Sequence, residues 1–193
     1  MLKKIFRKNI KNIFRKNDLV SELTRKAIKA NSVSRRIIVF PEIDATIIKA
    51  CSVIIRQGIA TPIILGPENK INSMAAGLGI KNFTQENIFD YLSEIHKTEF
   101  SDFKKSYLDM MNSSGHNMTE EEAGKKLSEP HYYGAMMVNS GLANGMITGI
   151  NSETKPYHPA FEIKKTRPGI NRASGLFIMI SPEGKTYFLQ ILD

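Results

Sequence analysis

The chain has 193 residues, of which 41% are hydrophobic and 24% are charged, proportions typical of a soluble globular protein with room for a substantial core. Its apolar runs all fall short of the about 18 residues that a membrane-spanning helix needs, which excludes a helical membrane protein. The single cysteine, Cys51, excludes a disulfide within the chain and favours a cytoplasmic location.

The net charge of +8 is concentrated at the N-terminus. Residues 1–17 carry seven lysines and arginines and no acid, which leaves only +1 for the rest of the chain. The segment is a near-repeat, and its apolar residues share one helical stripe: Leu2, Ile5, Phe6, Ile10, Ile13 and Phe14. A basic amphipathic helix of this kind is suited to bind an anionic membrane, RNA or a protein partner. The alternative interpretation is a solvated or disordered extension, which has the same composition. We treat residues 1–17 as an appendage and leave these alternatives open.

The body of the chain alternates strand and helix patterns, which predicts a mostly parallel sheet covered by helices. Ile37–Phe40 is wholly apolar, as expected of a strand that is buried on both faces. A helix is predicted over residues 45–57, a second strand over 61–65 and a helix over 67–78.

The middle of the chain has weaker signals. A short strand is predicted at about residues 87–91 and a long helix at 92–111. A polar loop follows, and Thr119 with Glu122 three residues later forms the capping-box pattern that begins another helix.

The last third of the chain completes the alternation. A helix is predicted at residues 131–140, a strand at 145–148 and a helix at 156–165. Two strands at 173–180 and 186–192 are joined by a short polar turn, which is typical of an antiparallel hairpin.

The sequence pattern argues against a reactive cysteine, a metal site and a dinucleotide-binding loop. Cys51 lies on the apolar face of its predicted helix, which favours core packing. The four histidines are dispersed, so the spacing of a metal site is missing. The sequence Gly77-Leu78-Gly79 follows a helix and lacks a third glycine, which excludes a dinucleotide fingerprint.

Two segments carry a family resemblance. Residues 130–138 read Pro-His-Tyr-Tyr-Gly-Ala-Met-Met-Val, and residues 151–160 read Asn-Ser-Glu-Thr-Lys-Pro-Tyr-His-Pro-Ala. They resemble the central part of the phosphate acetyltransferase family, which has an aromatic-Gly-x-Met-Met-Val helix and a loop of the form His-Ser-x-x-Asp-Thr-Leu-Arg-Pro-Ala. We call residues 151–160 the signature loop. Further family landmarks follow the same order at residues 36–42, 57–66, 118–123, 165–169 and 182–187.

The resemblance implies an acyltransferase in which phosphate attacks the thioester of acetyl-CoA to give acetyl phosphate and CoA. Acetyl-CoA, CoA and phosphate are then substrates, and no resident cofactor is expected. The implied fold is α/β, a three-layer and mostly parallel sheet with flanking helices, similar to isocitrate and isopropylmalate dehydrogenases, with the site in a cleft between two domains. The loop then supplies Ser152 as the catalytic donor, with substrate-binding positions at Asn151, Thr154, Lys155 and His158.

The signature loop also departs from the family pattern. Asn151, Lys155 and His158 stand where the family has His, Asp and Arg, and the family's arginine-bearing stretch before the capping box is replaced by residues 113–117. Each lost contact between arginine and phosphate is worth about 1.5–3 kcal/mol. A second interpretation is therefore an inactive, truncated homologue that binds acyl-CoA or a protein partner. A purely structural interpretation of the same residues is that Ser152 caps a helix and that His158 is a surface or packing residue.

The predicted domain organisation has three parts: the basic extension over residues 1–17, a first domain over 18–150, and the truncated start of a second domain over 151–193. The resemblance covers little more than the first half of a typical family member, which leaves the last strand at the edge of an incomplete sheet. A homodimer or a protein that supplies the second half is the expected partner.

Overall fold

The computed structural model describes residues 19–151, 157–164, 169–170, 174–181 and 185–192. The chain divides into two compact units. One is formed by residues 31–165, and the other by the residues up to 30 and from 166 onward. The basic amphipathic helix predicted for residues 1–17 lies outside the described residues.

Residues 31–165 are built around a parallel sheet of four strands in the order β3-β2-β1-β4. The strands are β1 (Ile37–Phe40), β2 (Thr61–Leu65), β3 (Ile88–Phe89) and β4 (Gly145–Met146). In the register of the sheet, Val39 of β1 pairs with Ile63 of β2 on one side and with Met146 of β4 on the other. The mostly parallel α/β architecture predicted from the alternating pattern is confirmed.

One face of the sheet is covered by α2 (Ala45–Gln57) and α3 (Glu68–Gly77). Helix α2 begins because the Asp44 side chain accepts the Thr46 N–H at 2.6 Å, and it ends at Gly58, which has a φ of 67° that glycine adopts without steric cost. The core on this face includes Phe40, Ile48, Cys51, Ile64 and Ile71. Burial raises the pKa of the Cys51 thiol to about 12, so the prediction that Cys51 is a packing residue is confirmed.

The opposite face is covered by α4 (Lys97–Ser113), α5 (Glu120–Leu127) and α6 (Pro130–Asn139). The side chain of Tyr133 on α6 is packed among four aromatic rings. At Gly134, a Cβ atom would lie 2.9 Å from Met146 Sδ and 3.2 Å from Val39 Cγ1, so α6 approaches β1 and β4 as closely as only glycine allows. The unit therefore has three layers, with the sheet in the middle.

The boundaries of several elements differ from the predictions. Helix α4 begins at Lys97, after the 3₁₀ turn Glu94–His96, because the apolar residues that suggested an earlier start are in solvent: Leu92 is 57% exposed and Ile95 is 85% exposed. Strand β4 ends at Met146, since the chain turns at Gly149, whose φ is 117°.

Two further differences concern helices. The helix predicted at residues 156–165 is a single α-helical turn, α7 (Tyr157–Pro159), which continues as a π-helix (Ala160–Lys164). Helix α1 (Leu19–Val33) was not predicted, and none of its residues is buried, so it lacks the buried face that patterns reveal best.

In the other unit, the described hairpin pairs β5 (Ser174–Ile180) with β6 (Thr186–Leu192) in antiparallel register. This confirms the predicted hairpin. Large apolar side chains along both strands are between 40% and 61% exposed: Leu176, Phe177, Ile178, Met179, Ile180, Tyr187, Phe188 and Leu189. Among the described residues, no helix combines the length and the apolar character that crossing a membrane would require.

Candidate functional site

The carboxyl ends of the strands define the candidate site. The chain runs from β1 to β2 and β3 on one side, and β4 then lies on the other side of β1, so the strand order reverses between β1 and β4. Ligands of open α/β sheets bind outside the carboxyl ends of the strands at such a switch point. The segments that leave β1 and β4 at this point are residues 41–43 and 147–151.

Glu42, which follows β1, joins these two segments. Its carboxylate is 6% exposed and accepts N–H groups of three successive residues. Gly149 and Ile150 donate to Oε2 at 3.2 and 3.3 Å, and Asn151 donates to Oε1 at 3.3 Å. A buried carboxylate is tolerated when it receives hydrogen bonds of this kind. Glu42 therefore fixes the backbone that leads into the signature loop.

His131, in the first turn of α6, faces the same carboxylate. Its Nε2 atom lies 3.6 Å from Glu42 Oε1, and its side chain is 16% exposed. Within the described part of the chain, Nε2 has no hydrogen-bond partner at the accepted distance. The two groups form an ion pair only when the imidazole is protonated.

Two pockets open beside Glu42. The smaller has a volume of about 170 Å³ and lies at the switch point, between Phe40 of β1 and Ile147, Thr148 and Ile150 after β4. The larger has a volume of about 370 Å³ and lies across the ends of β1, β2 and β3. Besides Glu42, its titratable side chains are Lys70, Asp90, Tyr91 and His131. The smaller pocket suits an apolar group, and the larger one suits a group with polar and apolar parts.

The segment after the signature loop is held by a second carboxylate. Glu162 accepts a hydrogen bond from the Tyr107 hydroxyl at 2.9 Å and another from the Tyr132 hydroxyl at 3.0 Å. Lys126 Nζ donates to Tyr132 Oη at 2.7 Å and lies 3.8 Å from Glu162 Oε1. The neighbouring residues Pro159 and Ile163 are buried.

The pKa values in this cluster follow from burial and charge. Burial first, and then the hydrogen bond to Glu162, raises the pKa of Tyr107. Burial also raises the pKa of Tyr132, and the carboxylate of Glu162 adds to that rise. For Lys126, burial lowers the pKa, but the hydrogen bond to Tyr132 and the charge of Glu162 offset this and leave it raised. Both tyrosines are therefore neutral donors and Lys126 is a cation at neutral pH.

The structure describes two of the predicted site residues, Asn151 and His158, and leaves the others outside the described ranges. Asn151 is exposed, with its N–H bound to Glu42, and His158 is exposed on α7. Ser152, Thr154 and Lys155 lie outside the described residues, and their roles stay predictions. Sequence reasoning noted Glu42 only as a family landmark and missed His131 and Glu162 as residues of the site. A further signal that could have pointed to Glu42 is its place two residues after a buried strand.

Metal ligation finds no support among the described residues, where no group of three or more His, Cys, Asp or Glu side chains could hold an ion. The described donors instead comprise backbone N–H groups and dispersed Lys and His side chains. Such groups recognise anions and carbonyl oxygens through hydrogen bonds.

The fold and the crevice thus define an α/β unit whose candidate site lies at the carboxyl edge of a parallel sheet. The model of the phosphate acetyl/butaryl transferase family matches residues 20–190. The chain belongs to this family.

Curated relatives and solved structures agree with the match. The phosphate acetyltransferase of Acetivibrio thermocellus is 35% identical over 147 residues, which cover 75% of this chain and 42% of that protein. The phosphate acetyltransferase of Bacillus subtilis is 34% identical over 154 residues, covering 78% and 45%. The EutD phosphotransacetylase from Staphylococcus aureus has a TM-score of 0.74 at 28% identity, covering 89% of this chain and 50% of that one. The chain thus spans half or less of the length of these relatives.

Proposed function

We propose that the protein to which this chain belongs transfers an acetyl group between acetyl-CoA and inorganic phosphate. The proposal is supported by the family match over residues 20–190 and by relatives named phosphate acetyltransferase. The structural observation that supports it is the position of Asn151, the first residue of the signature loop, whose N–H is bound to Glu42 at the switch point of the sheet. This is where an open α/β sheet binds its ligand.

The proposed chemistry needs donors for phosphate and for the oxyanion that develops on the thioester carbonyl. We assign the catalytic donor to Ser152, and we assign substrate contacts to Asn151, Thr154, Lys155 and His158. The pocket of about 370 Å³ has room for the reacting end of acetyl-CoA, and Lys70 at its rim adds positive charge for a phosphate group. Acetyl-CoA and CoA enter as substrates.

We further propose that residues 18–150 form the first domain and that residues 151–193 begin a second one, in the two-domain manner of isocitrate and isopropylmalate dehydrogenases. The exposed apolar side chains of the hairpin support an incomplete second domain, since an isolated two-stranded hairpin is marginal in water. A homodimer, or a separate polypeptide that supplies the second half, would complete it. The cytoplasm is the proposed location.

The proposed function is tested with purified protein by following CoA release from acetyl-CoA and phosphate, together with calorimetric titration of CoA. We expect turnover in the wild type and a loss of about 100- to 1,000-fold in Ser152→Ala, the usual effect of removing one oxyanion donor. Ser101→Ala, an exposed change on α4, is the matched control. Binding of CoA without turnover would contradict the proposal and favour the inactive acyl-CoA-binding homologue.

We also propose that the basic residues 1–17 contact an anionic membrane or RNA. A variant that lacks residues 2–17 is expected to lose salt-sensitive binding to anionic vesicles or to RNA, because clustered Lys and Arg dominate such contacts. Binding is measured by co-sedimentation at low and high salt, with circular dichroism as the check on folding. Undiminished binding by the shortened protein would show that this segment is not the contact.

A further inference from the structure

Two buried or half-buried carboxylates hold the chain on either side of the signature loop. Glu42 contacts the backbone up to Asn151, and Glu162 is placed four residues after His158. Asn151 and His158 are the residues of the predicted site that the structure describes. The role of the two carboxylates follows from the elements that each one joins through its hydrogen bonds.

Glu42 is attached to the sheet. It follows β1 directly through Pro41, and the N–H groups of Gly149, Ile150 and Asn151 converge on its two oxygens. The φ of 117° at Gly149 belongs to a region that L side chains rarely adopt, and successive backbone N–H groups arranged in this way form a cradle for an anion. The backbone at Asn151 is therefore fixed relative to β1 by charge-assisted hydrogen bonds.

Glu162 is attached to the helical layer. Its two oxygens each accept one tyrosine hydroxyl, from Tyr107 on α4 and from Tyr132 on α6. Lys126 of α5 completes the cluster through Tyr132. The π-helix that carries Glu162 is thus tied to three helices at once, and π-helical turns occur frequently at functional sites.

Stability alone is a poor explanation for this arrangement. Taking a carboxylate out of water carries a large desolvation cost, and apolar side chains of similar volume often serve a core equally well. The Glu42 side chain, 6% exposed, bears most of this cost, and the Glu162 side chain, 30% exposed, bears part of it. In return, both carboxylates fix the backbone beside the signature loop through directional hydrogen bonds to rigid elements, which is what a binding site requires.

We infer that Glu42 and Glu162 are positioning residues, which hold the backbone at Asn151 and the helix of His158 in the arrangement that binds the substrates. The claim that this arrangement binds substrates rests on the proposed function. The claim that Glu42 and Glu162 hold the backbone does not. Glu42 controls the backbone upstream of the signature loop through Gly149, Ile150 and Asn151. Glu162 controls the segment downstream of it through the two tyrosine hydroxyls.

The test compares Glu42→Gln and Glu162→Gln with Glu121→Gln, an exposed control on α5. In Glu42→Gln the amide oxygen still accepts the N–H groups of one side, but the amide nitrogen faces a backbone donor, so the anchor is broken on the other side. In Glu162→Gln the amide nitrogen can donate to a tyrosine hydroxyl, which also accepts, so a milder effect is expected. Tyr107→Phe removes one donor from the downstream flank and serves as a second variant there.

Three readouts separate positioning from a merely structural role: hydrogen exchange of the peptides that contain residues 149–151 and 157–164, calorimetric affinity for CoA and for inorganic phosphate, and the urea midpoint. Glu42→Gln is expected to speed exchange about tenfold at residues 149–151 and to weaken affinity for phosphate or CoA about tenfold or more. Glu162→Gln and Tyr107→Phe are expected to affect residues 157–164 instead. Glu121→Gln is expected to match the wild type in every readout.

Unchanged exchange at residues 149–151 in Glu42→Gln would overturn its role as an anchor. Faster hydrogen exchange in Glu42→Gln with unchanged affinity for CoA and for phosphate would mean that Glu42 has a structural role only. That result would overturn the positioning role. If Glu42→Gln does not fold, the exchange and affinity of Tyr107→Phe and Glu162→Gln decide the inference at the downstream flank. A wild type that binds neither ligand would overturn the proposed function, and the exchange data would still decide whether the two carboxylates anchor their segments.

Discussion

Replacing Tyr133 with alanine is expected to lower the free energy of unfolding by about 3–5 kcal/mol, the usual cost of deleting a buried aromatic side chain. Tyr133 is 1% exposed and lies at the centre of four rings on the α6 side of the sheet. Its ring centroid is 4.5 Å from that of Tyr91 and 5.1 Å from that of Phe103, and the rings of Phe89 and Phe100 lie at 6.0 and 6.1 Å. Aromatic pairs at these separations add to the stability gained from burial.

A loss of this size is a large fraction of the 5–15 kcal/mol or so that stabilises a typical domain. Urea denaturation followed by circular dichroism measures it, and the midpoint for Tyr133→Ala is expected to fall well below that of the wild type. Tyr133→Phe, which keeps the ring, and Leu92→Ala, which truncates a side chain that is 57% exposed, are the controls. A change of less than about 1 kcal/mol in Tyr133→Ala would mean that the rings repack around the gap.

Strands β1 and β2 could be predicted from sequence because their signal is local. Ile37–Phe40 and Thr61–Leu65 have the predicted bounds, since an apolar run closed by polar or turn residues reports a buried parallel strand by itself. The capping box at Thr119 was also predictable. Its two halves are three residues apart, and the Thr119 N–H donates to Glu122 Oε2 at 2.8 Å.

The contacts that build the site are not local, which is why patterns missed them. Glu42 reaches N–H groups that are 107 to 109 residues away in the chain, and Glu162 reaches Tyr107 across 55 residues. Neither glutamate sits in a periodic pattern that distinguishes it from a solvated side chain. A buried carboxylate becomes visible only when the fold places backbone or hydroxyl donors around it.

The signature loop raises a different question, because its sequence matches a family pattern while several of its charges differ. The resemblance predicts substrate contacts at Asn151 and His158, and the structure exposes both side chains. A loop can retain its backbone path through anchors such as Glu42 while its side chains change. A residue can therefore keep its position in the loop and lose its chemical role. A substitution that brings back the family's side chain is expected to restore that role.

Restoring the family's arginine with His158→Arg is expected to tighten the binding of inorganic phosphate about 10- to 150-fold. Arginine offers a planar fork that binds phosphate through two hydrogen bonds, whereas histidine carries little charge near neutral pH. One charge-assisted contact of about 1.5–3 kcal/mol corresponds to this range of affinity. Calorimetric titration with phosphate measures the change, and turnover of acetyl-CoA with phosphate is expected to rise with it.

Two control variants separate charge from geometry. His158→Lys adds a positive charge without the fork and is expected to give a smaller gain, and His158→Gln adds neither and is expected to give none. Equal gains in phosphate affinity for His158→Arg and His158→Lys would mean that only the positive charge at this position matters for phosphate binding. No gain from His158→Arg, in a protein with an unchanged urea midpoint, would place His158 away from the phosphate. In that case the match between the signature loop and the family pattern does not extend to a phosphate contact at residue 158.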